Sequence, residues 1–154
     1  MDIEKTPYET DPVRDLGEAL YAFVGAYDRL QLVLREFEDE FTWFADVLRH
    51  GIYRPVQPDG AEGSRPSLSL YEIGVVYFPD SYNPGKYSIN TRKLEKALQL
   101  RGEDVRALFV QSDGILPVLC EILLVFLEEE MPEHLYAAAM RFLNECRRLE
   151  AMWL

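Results

Sequence analysis

Hydrophobic residues along the first third of the chain keep one strict rhythm. Leu16, Leu20, Phe23, Tyr27, Leu30, Leu34, Phe37, Phe41, Phe44 and Leu48 alternate in steps of four and three without a slip. That is the heptad stripe of an amphipathic helix, and it predicts one very long helix over residues 11–50. Asp11 is placed to cap it with Pro12 at the first helical position, and Arg49, His50 and Gly51 supply the stop. At 1.5 Å per residue such a helix runs about 57 Å. Residues 1–10 before it read as a loose arm.

The rhythm then lapses. Residues 51–66 carry several prolines and glycines and no period, which reads as a long surface loop. Over residues 67–89 the period becomes two, with Tyr71, Ile73, Val75 and Tyr77 alternating. Asn83-Pro84-Gly85-Lys86 is a turn signal, so a small β-hairpin is expected. Two strands alone are marginal in water and must lean on the helices or on a second chain.

Residues 90–154 predict four further helices. Asn90 caps the first, over Thr91–Arg101, and Gly102 separates it from a second that stops at Asp113-Gly114. The segment Ile115–Glu130 is apolar on nearly every side, the signature of a helix in the middle of a bundle. Pro132 breaks the chain, and the last helix takes up a new stripe at Leu135, Ala139, Phe142, Cys146, Leu149 and Trp153. The fold class is therefore mainly α: a single-domain helical bundle with a small inserted hairpin. If the later helices cannot cover the first stripe, a bare seam remains, and a homodimer or a larger complex is expected.

Charge narrows the classes of function. The 154 residues carry a net charge of −11, with −8 over residues 1–62. A field of that sign disfavours phosphate backbones and anionic membranes. The first ten residues resemble no signal or transit peptide, and the run Ile115–Leu127 is too short to span a bilayer, so a soluble cytoplasmic protein is expected. Cys120 and Cys146 both sit on apolar helical faces and read as core residues, with an inter-helix disulfide as the lesser alternative.

Candidate chemistry is sparse. Glu36, Asp39 and Glu40, at i, i+3 and i+4, are the first candidate for a Mg²⁺ site on one helix face, with Glu129 of the Glu128–Glu130 run as a partner. The chain then becomes a small hydrolase of nucleotide type. Against this, the acids point away from the packed stripe. Neither His50 nor His134 completes a Glu-x-x-His pair, since Val47 and Met131 stand where the glutamates belong. No nucleophile elbow or phosphate loop is present, and no cofactor is expected. The one basic island holds Arg92, Lys93 and Lys96, which makes the helix pair over 90–111 an alternative DNA-binding element. The leading expectation is a non-enzymatic interaction module, an adaptor, assembly subunit or inhibitor. Its acidic, aromatic surface at Glu36, Asp39, Glu40, Trp43, Tyr82 and Tyr87 would engage another protein, one of basic character.

Overall fold

The computed structural model describes residues 11–37, 40–59, 66–77 and 87–153. Five α-helices and one small hairpin follow one another in the chain. They are α1 (Pro12–Arg35), α2 (Thr42–Tyr53), β1 (Val75–Tyr77), β2 (Tyr87–Ile89), α3 (Thr91–Val110), α4 (Ile115–Phe126) and α5 (Glu133–Ala151). Mainly α with an inserted two-stranded hairpin is thus the architecture.

Local chemistry sets several boundaries where the residue types predict them. The Asp11 carboxylate accepts from the backbone N–H groups of Val13 and Arg14, and Pro12 opens α1. Asn90 caps α3 through Lys93 N–H. Pro132 stands immediately before α5.

The long helix is not continuous. α1 stops at Arg35, Glu36 and Phe37 turn, and α2 starts at Thr42. Two physical reasons favour the break. A strict seven-residue repeat drifts by about 20° per heptad on a straight helix, so an unbroken helix of this length would carry its later stripe residues off the core. Glu36 and Glu40 would also repel one another across one helical turn. Breaking the helix aims both halves of the stripe inward. The stripe residues Leu16, Leu20, Phe23, Tyr27, Leu30, Leu34, Phe41, Phe44 and Leu48 are all buried, and Phe37 is half-buried against the same core. The seam expected to be left bare is covered within one chain, so it supplies no reason for self-association.

Cover for α1 comes chiefly from α5. Phe142 sets its ring 5.3 Å from Phe23 and 5.7 Å from Tyr27, centroid to centroid. The two matching 4-3 stripes meet as their spacing predicts.

Several other boundaries shift. α2 continues through His50 and Gly51 to Tyr53, and the His50 Nδ1 meets the Asp46 carbonyl at 2.8 Å within the helix rather than marking its end. The expected 51–66 loop is also shortened from within: Val56 pairs with Leu68 in an isolated antiparallel bridge. Tyr71–Ile73 is a 3-10 turn rather than part of a strand. It closes on Gly74, whose φ of +106° needs glycine. Val75–Tyr77 and Tyr87–Ile89 pair antiparallel, and the turn at Asn83–Lys86 lies outside the described residues.

The two helices expected over 90–111 form one run with a kink, and Arg101 is the non-helical residue inside it. Its guanidinium donates to the Asp104 carboxylate at 2.9 Å and to the Pro66 carbonyl at 2.7 Å. Asp104 is the one buried charged residue among those described. This pair ties the kink to the chain entering the hairpin.

The expected helix over 115–130 ends at Phe126. It packs against α5, α2 and α3, yet it is not enclosed. Its outer side faces water.

Candidate functional site

Among the acids singled out from the sequence, Glu36, Glu40 and Glu129 do not share one helix face. Glu36 is the C-cap of α1, and His134 Nε2 donates to its carboxylate at 2.7 Å. A carboxylate is at the unfavourable pole of a helix there, and His134 answers it. Glu40 is exposed on the turn leading into α2, and Glu129 is exposed beyond the end of α4. Asp39 lies outside the described residues. Among those described, no three His, Cys, Asp or Glu side chains gather to hold a metal ion.

The remaining candidates separate clearly. Tyr87 packs its ring at a tilt against Tyr21, centroids 4.9 Å apart, and brings its hydroxyl close over Gly25, so it anchors the hairpin to α1. Burial first, then the neighbouring Tyr21, pushes its phenol pKa up. Tyr82 lies outside the described residues. Arg92, Lys93 and Lys96 are exposed on the first half of α3, with Lys93 over the Tyr71 ring at 4.5 Å. The second half of α3 buries Val105, Leu108 and Phe109 and shows Glu103 beside Arg106, a poor face for reading DNA.

Trp43 behaves differently. It remains 52% exposed while its indole lies edge-to-face with Phe44 and Phe126, centroids 5.7 Å and 6.4 Å apart. It sits where α2 and α4 cross closely. Phe44 and Phe126 stack face to face at 3.6 Å, and a Cβ on Gly51 would meet Leu119 at 3.0 Å and Ile122 at 3.8 Å. Gly51 lets the two helices approach. Phe44 faces Phe126 while Gly51 faces Leu119, so α2 and α4 run antiparallel.

Spacing then defines a strip. Trp43 and Val47 lie one turn apart on α2, and Val118, Ile122 and Val125 lie one turn apart on α4. Val47 is 40% exposed and Val125 59%, while Val118 and Ile122 are half-buried. Leu124, at 47%, adds apolar surface farther round α4. Along this outer side of α4 the polar residue is Glu121.

The strip has two unlike ends. Glu40, Glu128 and Glu129 stand exposed at the end marked by Trp43 and Val125. At the other end are Arg49, His50 and Arg54. Arg49 is paired with Asp46 at 2.6 Å, and Arg54 donates to the carbonyls of Asp113 and Gly114.

No family model, curated protein or solved structure matches this chain.

Other features point to structure rather than chemistry. Cys120 and Cys146 are free thiols that meet between α4 and α5. The contact with Cys146 lowers the pKa of half-exposed Cys120, whereas burial raises that of Cys146 well above its usual value. An open cleft of about 630 Å³ lies between the first turns of α1 and β2, with Arg14, Glu18 and Tyr21 in its wall. Asp11, Ser88 and Thr91 complete its polar lining.

Sequence reasoning reached Trp43 because it falls off the heptad stripe. Val47, Ile122 and Val125 were missed. Their signal was present in the all-round apolar character of Ile115–Leu127, which that reasoning assigned to enclosure inside the bundle.

Proposed function

We propose that this chain is a non-enzymatic protein-interaction module whose docking surface is the apolar strip between α2 and α4. One observation carries the reading. α4 is apolar on nearly every side, and its neighbours cover only part of its circumference, leaving Val125 in water at the Trp43 end of the strip and Leu124 in water farther round the helix. Burying such side chains against a partner is favourable by roughly 25 cal/mol per Å² of apolar surface. An exposed tryptophan within an apolar field is a typical anchor for that burial. α4 itself, about 18 Å long at 1.5 Å per residue, is too short to cross a bilayer core. An acidic surface of this kind suits a soluble partner better than an anionic lipid head group.

The carboxylates of Glu36, Glu40 and Glu129 do not favour the hydrolase reading. Glu36 is engaged by His134, and the other two flank the apolar strip. In the proposed role they supply charge around a docking surface.

Paired affinity captures test the proposal. The wild-type chain and a Val125→Glu variant are used as baits in extracts of the source cells, with folding checked by circular dichroism. The expected result is a protein that co-purifies with wild type and is lost with Val125→Glu. Identical captures with both folded baits would overturn it.

A further inference from the structure

Resting on that reading, we infer that the occupant of the α2–α4 strip is an amphipathic helix of another protein, with lysine or arginine at the end lying over Glu40, Glu128 and Glu129.

The shape points to a helix. Two packed antiparallel helices leave a shallow channel along their line of contact, and the row Val118, Ile122, Val125 forms one bank with Trp43 and Val47 on the other. A third helix fills such a channel by setting its own i, i+3, i+4 and i+7 side chains between those rows. α4 then gains the neighbour that its composition calls for. α5, α2 and α3 already lie against it, and the outer side is the one left uncovered.

The charge selects which helix. Glu40, Glu128 and Glu129 are exposed at one end of the strip, and Glu121 lies along it. A cationic end on the partner is drawn to that cluster and sets the direction in which it lies. An acidic helix of the same apolar pattern meets repulsion instead.

A second copy of this chain fits less well. A two-fold axis across the strip would set Glu128 and Glu129 of one copy against Arg49 and Arg54 of the other. Both arginines are already engaged, Arg49 by Asp46 and Arg54 by the Asp113 and Gly114 carbonyls. Two chains of −11 each add a general repulsion.

The test uses the full chain and two designed helical peptides of about 18 residues, long enough to run the length of the strip. Both carry leucine at i, i+3, i+4 and i+7. One has four lysines at a single end, and the other has four glutamates there. Calorimetry at low salt is expected to show the lysine peptide binding at least about tenfold more tightly, with affinity falling as salt rises. Val125→Glu is expected to abolish binding of the lysine peptide. Glu128→Lys/Glu129→Lys is expected to reverse the preference between the peptides while circular dichroism stays unchanged. Equal binding of both peptides, sensitive to Val125→Glu, would overturn the basic partner and leave the docking surface standing. Binding of neither peptide would overturn the helical basic partner. If captures also fail to distinguish wild type from Val125→Glu, the docking surface falls with it. A dimer by sedimentation that Val125→Glu dissociates would assign the strip to a second copy and overturn the inference.

Discussion

The seam between α1 and α5 and the strip between α2 and α4 are both made of apolar side chains at helical spacing, yet only the first is closed. Along α1 the stripe residues are buried, with Phe23 and Tyr27 set against Phe142 of α5. Along α4 the inner residues Leu119, Leu123 and Phe126 are equally buried, but Val125 and Leu124 face water. Spacing records which side chains favour cover. It does not record whether the cover comes from the same chain.

The contrast can be broken most severely at the closed seam. Phe142→Ala removes a ring that meets both Phe23 and Tyr27, and a buried phenylalanine lost in this way costs about 3–5 kcal/mol. Urea unfolding followed by circular dichroism should show a loss of that size. Next comes the kink of α3. Asp104→Ala leaves the partly buried guanidinium of Arg101 without its buried partner, at a cost of about 1–3 kcal/mol. Arg101→Ala/Asp104→Ala should cost less than the sum of the two single changes, because the pair acts as a unit.

A smaller effect is expected at the start of α1. Asp11→Ala removes the cap of the Val13 and Arg14 N–H groups and should lower stability by about 1 kcal/mol. Weakest of all is the exposed hydrogen bond between Glu36 and His134, where Glu36→Gln should change stability by about 0–1 kcal/mol. The thiols at the α4–α5 contact provide a chemical version of the same comparison. A water-soluble thiol reagent should label half-exposed Cys120 in the native protein and reach Cys146 only in denaturant. Equal labelling of both without denaturant would show that the α4–α5 contact opens.

Features that depend on neighbouring residues were the most legible in the sequence. The Asp11-Pro12 start, the Asn90 cap and the break at Pro132 follow from the donors and acceptors that those residues carry or lack. The mainly α class and the hairpin follow from period alone. The split of the first stripe at Glu36 was not legible, because ten residues in 4-3 steps fit one long helix and two shorter ones equally well. Only the choice of which arrangement buries Phe37, Phe41 and Phe44 together decides it, and that is a tertiary matter.

The docking strip was half legible for a similar reason. Trp43 stood out as an aromatic away from the stripe. Val125 did not, because a helix apolar on nearly every side gives little sign of its outer face. The Arg101–Asp104 pair went unnoticed although its i, i+3 spacing is plain. Arg101 read as one member of a basic island, whereas in the fold it serves its own helix and the Pro66 carbonyl.

Two adjacent residues of α4 test the account most directly. Phe126 points inward onto Phe44, and Val125 points outward into water. Urea unfolding of the isolated chain should show Phe126→Ala losing about 3–5 kcal/mol, while Val125→Asp stays within about 0.5 kcal/mol of wild type. A loss of several kcal/mol from Val125→Asp would mean that the chain itself covers this side of α4, and would contradict the docking surface.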